Sequence, residues 1–106
     1  MRRWVPGMDE TDNAILEFLQ ELESADGEPV AQSPALVYRN LVEIRGVIDC
    51  ASNTVSRHLK KLWRVGLLER LEENSAHYVL TDLGRRYPND LSDEERGELE
   101  DRLAEL

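Results

Sequence analysis

The stretch Ser52–Leu71, SNTVSRHLKKLWRVGLLERL, decides how this chain is read. It holds five basic residues, Arg57, Lys60, Lys61, Arg64 and Arg70, against the single acid Glu69, in a chain of formal net charge -9. Ser52 is a good N-cap. Val55, Leu59 and Leu62 follow at i, i+4 and i+7, the spacing of a helix with one buried face. Gly66 stops that helix. Leu67–Leu71 and His77–Leu80 then read as two strands around the polar turn Glu72–Ala76.

Burying Val55, Leu59 and Leu62 aims Asn53, Thr54, Arg57, Lys61 and Arg64 along one solvent face, with Ser56 and Lys60 beside it. Such a face suits a DNA major groove. Small polar residues at the N-terminal end permit close approach. Arg57 can give guanine O6 and N7 two hydrogen bonds, and Asn53 can pair similarly with adenine. Lys60, Lys61 and Arg64 suit phosphates, which position a protein without reading sequence. The plain alternative is a solvated charged face. The hairpin that follows and the acidity elsewhere favour DNA.

The charge is segregated. Residues 1–34 carry eight acids and two bases, net -6; residues 35–71 carry three acids and seven bases, net +4; residues 72–106 carry eleven acids and four bases, net -7. A basic centre between acidic ends implies a partner for the centre alone. Only Lys60 and Lys61 are lysines. An acidic, lysine-poor surface holds water and cations in concentrated salt. An ordinary acidic protein also gains solubility from its charge, but the arginine bias points to a halophile.

The flanking sequence builds the rest of a small domain. Asp9 caps a first helix, with Asp12 three residues on, and Ile15, Leu16, Phe18, Leu19 and Leu22 recur at helical spacing. Asp26-Gly27 ends it. Val30 and Ala31 suit a very short strand. Ser33-Pro34 opens a second helix with the apolar stripe Leu36, Val37, Leu41 and Ile44. Val47 and Ile48 are expected in a buried turn. Thr81–Tyr87 reads as a helical turn closed by Pro88, and Ser92 with Glu95 forms the capping box of a last helix. The fold expected is mainly α with a small β-hairpin: a winged helix-turn-helix with N- and C-terminal helices. Residues 1–90 form the DNA-binding domain and residues 91–106 a C-terminal helix. Leu99, Leu103 and Leu106 on that helix suit either packing against the first helix or a homodimer seam.

The segments TVSRHLKKLWRVGLLER and HYVLTDLGRRY resemble the recognition helix, wing and following turn of winged helix-turn-helix transcription regulators. With MDETDNAILEFL and the acidic composition, the chain is most similar to the haloarchaeal phage phi-H repressor-like proteins, over about residues 4–90. The resemblance implies sequence-specific binding of double-stranded DNA and transcriptional control, as a repressor. By position, Asn53, Thr54, Ser56, Arg57 and Lys61 would face the groove and Arg70 would sit at the wing. Two departures stand out. Gly46 lies nine residues before Val55, where a tight motif has its turn glycine about six before. The expected wing tip carries Glu72 and Glu73, which repel phosphate.

Other chemistry is sparse. Cys50 suits a redox sensor at a helix N-terminus, or a small buried residue; alone, it makes no internal disulfide and fits a reducing cytoplasm. His58 and His77 are too few and too separated to form a metal site with Cys50; His58 is expected at the core's edge. No nucleophile triad, glycine-rich phosphate loop or small-molecule site is evident, so neither an enzyme nor a cofactor is expected. No apolar run approaches the roughly 20 residues that cross a bilayer, and MRRWVPGMDE is not followed by the apolar core of a signal peptide. A protein-interaction module on the same scaffold is the rival function; its contact surface would be the acid.

Overall fold

The computed structural model describes residues 4–71 and 76–106. Helix α1 spans Glu10–Asp26. Asp9 and Asp12 close the expected capping box: the Asp12 amide donates to Asp9 Oδ1 at 2.9 Å and the Asp9 amide to Asp12 Oδ2 at 3.0 Å. Gly27 ends the helix in the left-handed conformation. Ile15, Leu16, Phe18 and Leu19 are buried, and Leu22 packs at the core's edge. The short strand expected at Val30–Ala31 is instead a single bridge one residue later, Gln32 to Tyr78, with both backbone hydrogen bonds at 2.9 Å.

Helix α2, Pro34–Tyr38, starts as expected, with Ser33 Oγ accepting from the Leu36 amide. From Arg39 to Ile44 it widens into a π-helix. The Arg45 amide reaches back five residues to Asn40, and the Val47 amide six to Leu41. Each wider turn rotates later side chains off the α-helical stripe. Val37 and Leu41 sit in the core; Ile44, expected beside them, is rotated outward and 65% exposed, and Leu36, in the α-helical turn before the π-helix, is 43% exposed. Val47, expected buried, is 53% exposed, and Ile48 alone fills the turn.

Helix α3, Ser52–Arg64, follows extended backbone at Ala51. Ala51 holds the capping position, with its carbonyl accepting from the Thr54 and Val55 amides. Ser52, expected there, is the first helical residue. Val55, Leu59 and Leu62 are fully buried, as their spacing demands. Gly66, at φ 89°, turns the chain. Strands β1, Leu68–Arg70, and β2, Tyr78–Leu80, pair antiparallel with Leu68 opposite Leu80 and Arg70 opposite Tyr78. They are shorter than the expected Leu67–Leu71 and His77–Leu80, although backbone hydrogen bonds continue the register at both ends, from the Thr81 amide to the Leu67 carbonyl and from the Leu71 amide to the His77 carbonyl; the Leu67 amide closes α3 onto Leu62. Residues 72–75, with the expected wing-tip Glu72 and Glu73, lie outside the described residues.

Helix α4, Asp82–Arg86, is capped by Thr81. Thr81 Oγ1 also donates to the Gly66 carbonyl at 2.6 Å, tying α4 to the end of α3. Gly84 lies so close to the Leu67 backbone that a Cβ there would stand 2.1 Å from its carbonyl oxygen. Helix α5, Asp93–Ala104, carries the expected Ser92–Glu95 box. Leu99 and Leu103 join the core of their own chain. Leu103 abuts Gly7, and Arg102 donates to the Val65 carbonyl at 3.1 Å. α5 thus covers the N-terminal segment and the end of α3. The radius of gyration, 13.0 Å, is that of one folded body of this length. The result is a mainly helical domain with a two-stranded hairpin.

Candidate nucleic-acid interface

The outer face of α3 displays Asn53, Ser56, Arg57, Lys60 and Arg64, all exposed, with Thr54 half-buried at its edge. Arg57 Nη2 donates to Thr54 Oγ1 at 3.3 Å, which leans the guanidinium toward the start of the helix. Arg57, Lys60, Lys61 and Arg64 line a concavity of about 620 Å³, and Leu106 forms its opposing wall. The end of α5 therefore borders the basic face. No local pattern signals this neighbour, since it follows from α5 folding back over residues about forty positions earlier.

Two residues expected to meet DNA also make contacts within the fold. Lys61 Nζ lies 2.5 Å from Asp12 Oδ2 and 2.9 Å from the Gly7 carbonyl. Asp12 is fully buried. Its other oxygen accepts from His58 Nδ1 at 2.6 Å, so His58 sits at the core's edge as expected, but as a hydrogen-bond partner of α1. Lys61 thus carries charge into the α1–α3 joint. An acid at the third helical position and a His-Lys pair three apart on another helix were the available sequence signals. Arg70 is on β1, but it does not project. Its guanidinium carbon stacks 4.4 Å from the Trp63 ring centroid and 5.6 Å from that of Tyr78, and Nη2 donates to the Tyr78 hydroxyl at 3.3 Å. Its buried Nε has no hydrogen-bond partner among the described residues. Cation–π contact with two rings accounts for this folded-back position.

Asp9, Asp12 and His58 bring three potential metal-ligating atoms within 4.8 Å of one another. Both Asp12 oxygens are already engaged, and the Lys61 ammonium supplies the positive charge. A metal ion would have to displace that ammonium. Cys50 is half-buried, and its thiol is pushed up from the ordinary value by burial and then by Asp49. That direction disfavours the thiolate a redox sensor uses. No described helix is long and apolar enough to cross a membrane.

Comparison with protein-family models, with curated proteins and with solved structures finds no match to this chain.

Proposed function

We propose that this protein is a sequence-specific regulator of transcription that binds double-stranded DNA as a winged helix-turn-helix, with α3 in the major groove. One observation carries the reading. Asn53, Arg57, Lys60 and Arg64 stand exposed on the outer face of a helix anchored by three fully buried side chains, in a chain whose other segments are strongly acidic. A rigid element presenting a guanidinium and a carboxamide near its N-terminal end and cations further along matches base reading followed by phosphate contact. Arg57 and Asn53 read bases; Lys60 and Arg64 hold phosphates. Lys61 and Arg70 act behind them by fixing α3 and the hairpin. The repressor assignment rests on the resemblance of the recognition segment.

One such helix reads few bases, so the reading includes a homodimer on a pseudo-palindrome, with half-sites about 10 bp apart or a multiple. Selection of bound sequences from a random duplex library in high salt tests the proposal. Enrichment of a two-fold motif supports it; recovery of unenriched sequence rejects it.

A protein-interaction module is the second reading. It is favoured by Trp4, Ile44 and Val47, which are 45%, 65% and 53% exposed. Trp4 and Val47 line one concavity with Ile48. Failure of the selection with a folded protein would favour this reading.

A further inference from the structure

A groove of about 320 Å³ lies along the first half of α1. Glu10, Ala14 and Glu17 form its α1 wall, at i, i+4 and i+7 on one face of the helix. Trp4, Val47 and Ile48 complete it. None of these belongs to the basic face of α3. Trp4 and Val47 are exposed, and the backbone holds them so. Each adjoins a buried residue. Val5 is buried, and its amide donates to the Tyr87 hydroxyl at 3.4 Å. Ile48 is buried, and the Val47 amide is tied to the Leu41 carbonyl at 2.8 Å by the wide turn that follows the π-helix. Side chains presented from anchored backbone lose little freedom when a partner covers them, which favours a binding hot spot. Ala14 and Ile48, both buried, supply an apolar floor.

The charge of the groove is one-sided. Glu10 is exposed and forms no ion pair among the described residues. No lysine or arginine lines the groove among the described residues. Arg45, two residues before Val47, is spent elsewhere. It pairs with Glu21 at 3.2 Å, and its guanidinium carbon lies 5.2 Å from the Phe18 ring centroid. An apolar surface with a carboxylate at its edge is complementary to an apolar group with a cation beside it.

We propose that this groove docks a segment of a different protein that carries a large apolar side chain beside a lysine or arginine. The apolar side chain packs against Trp4 and Val47 over the floor of Ala14 and Ile48, and the cation meets Glu10. The volume lies at the low end of the roughly 300–1,000 Å³ of ligand-sized sites, which suits one anchoring side chain rather than a whole helix. A second copy of this chain fits poorly, because a two-fold contact here brings two acidic rims together in a chain of net charge -9. The inference deepens the protein-interaction reading by naming its face and its partner, and it does not rest on DNA binding by α3.

The test is selection of a random peptide library on the full chain, followed by titration of the best synthetic peptide into the ¹⁵N-labelled chain. Enriched peptides should place a lysine or arginine close to a large apolar residue. Amide shifts should saturate and centre on residues 4–17 and 44–48. Trp4→Ala should weaken the peptide at least about thirtyfold, the loss for a hot-spot residue. Val47→Asp, at an exposed position, sets a charge against the apolar anchor and should weaken it at least about tenfold with the amide spectrum still dispersed. Glu10→Gln should weaken it about threefold, as for an exposed ion pair. Enriched peptides that lack a cation overturn the partner assignment. A chain that sediments as a dimer, and as a monomer with Val47→Asp, makes a second copy the occupant and overturns it too. Shifts away from the groove, unaffected by Val47→Asp, overturn this face while the broader interaction reading stands; a library that yields no binder overturns both.

Discussion

Lys61 Nζ lies 2.5 Å from Oδ2 of the fully buried Asp12, so a cation of the recognition helix is spent on holding that helix to α1. Asp12 also caps its own helix and accepts from His58. One carboxylate thereby joins the start of α1 to the middle of α3. Asp12→Asn should lower stability by about 2–4 kcal/mol, toward the low end for a broken buried pair because Lys61 stays partly solvated. Urea denaturation measures it; a loss below about 0.5 kcal/mol would show that the pair is idle.

Lys60 and Lys61 are neighbours in sequence with different expected phenotypes. Lys60→Met should leave stability unchanged and reduce the salt slope of DNA binding by about 0.9, one phosphate contact. Lys61→Met should destabilise the fold, leaving the buried Asp12 carboxyl without its ammonium partner, with little change in slope. Equal slope changes for the two would reject the division of roles.

Arg57→Ala should cost about 1–3 kcal/mol of specific DNA affinity and relax preference at one position in each half-site. Repeating the library selection with the variant decides this. An unaltered motif would mean that Arg57 meets only the backbone.

Salt should weaken DNA binding less than the exposed cations alone imply. Lys60 and Arg64, the two phosphate contacts, give a log–log slope of about -1.8 per subunit through counterion release. The acidic ends, net -6 and -7, must take up cations as they approach DNA, which offsets that release. Titration of a selected operator from about 0.2 to 3 M KCl, where the Debye length falls to roughly 3 Å and below, should give a shallower slope. A slope at or beyond about -1.8 per subunit would remove the halophilic account of the charge.

Glu95 is held near a pKa of about 2 by Arg86 and then by the Ser92 amide. A depressed folded value means that the unfolded chain binds this proton more readily. The contribution is therefore complete above the ordinary carboxylate value near 4.5 and fades as pH falls toward 2. Glu95→Gln should be less stable than the parent at neutral pH, with the difference closing across that window. A difference independent of pH would place the effect in the cap alone.

The sequence by itself determined whatever depends on neighbours within a turn or two. The Asp9–Asp12 and Ser92–Glu95 boxes, the Ser33-Pro34 start, the Gly27 and Gly66 stops and the buried face Val55–Leu59–Leu62 all stand where local chemistry put them. Three of these also orient the outer face of α3, so most of the candidate interface was legible. Tertiary structure decided the rest. The π-turns after Arg39 rotated Ile44 outward, because backbone hydrogen-bond register is settled by what the helix packs on. The uses of Lys61 and Arg70 were hidden, since a long cationic side chain goes to whatever charge or ring the fold brings near. Asp12 is 49 residues from Lys61, and Trp63 meets Arg70 only once Gly66 has turned the chain back. Periodicity says which way a side chain starts out from its helix; only the assembled fold says where a flexible charged one ends.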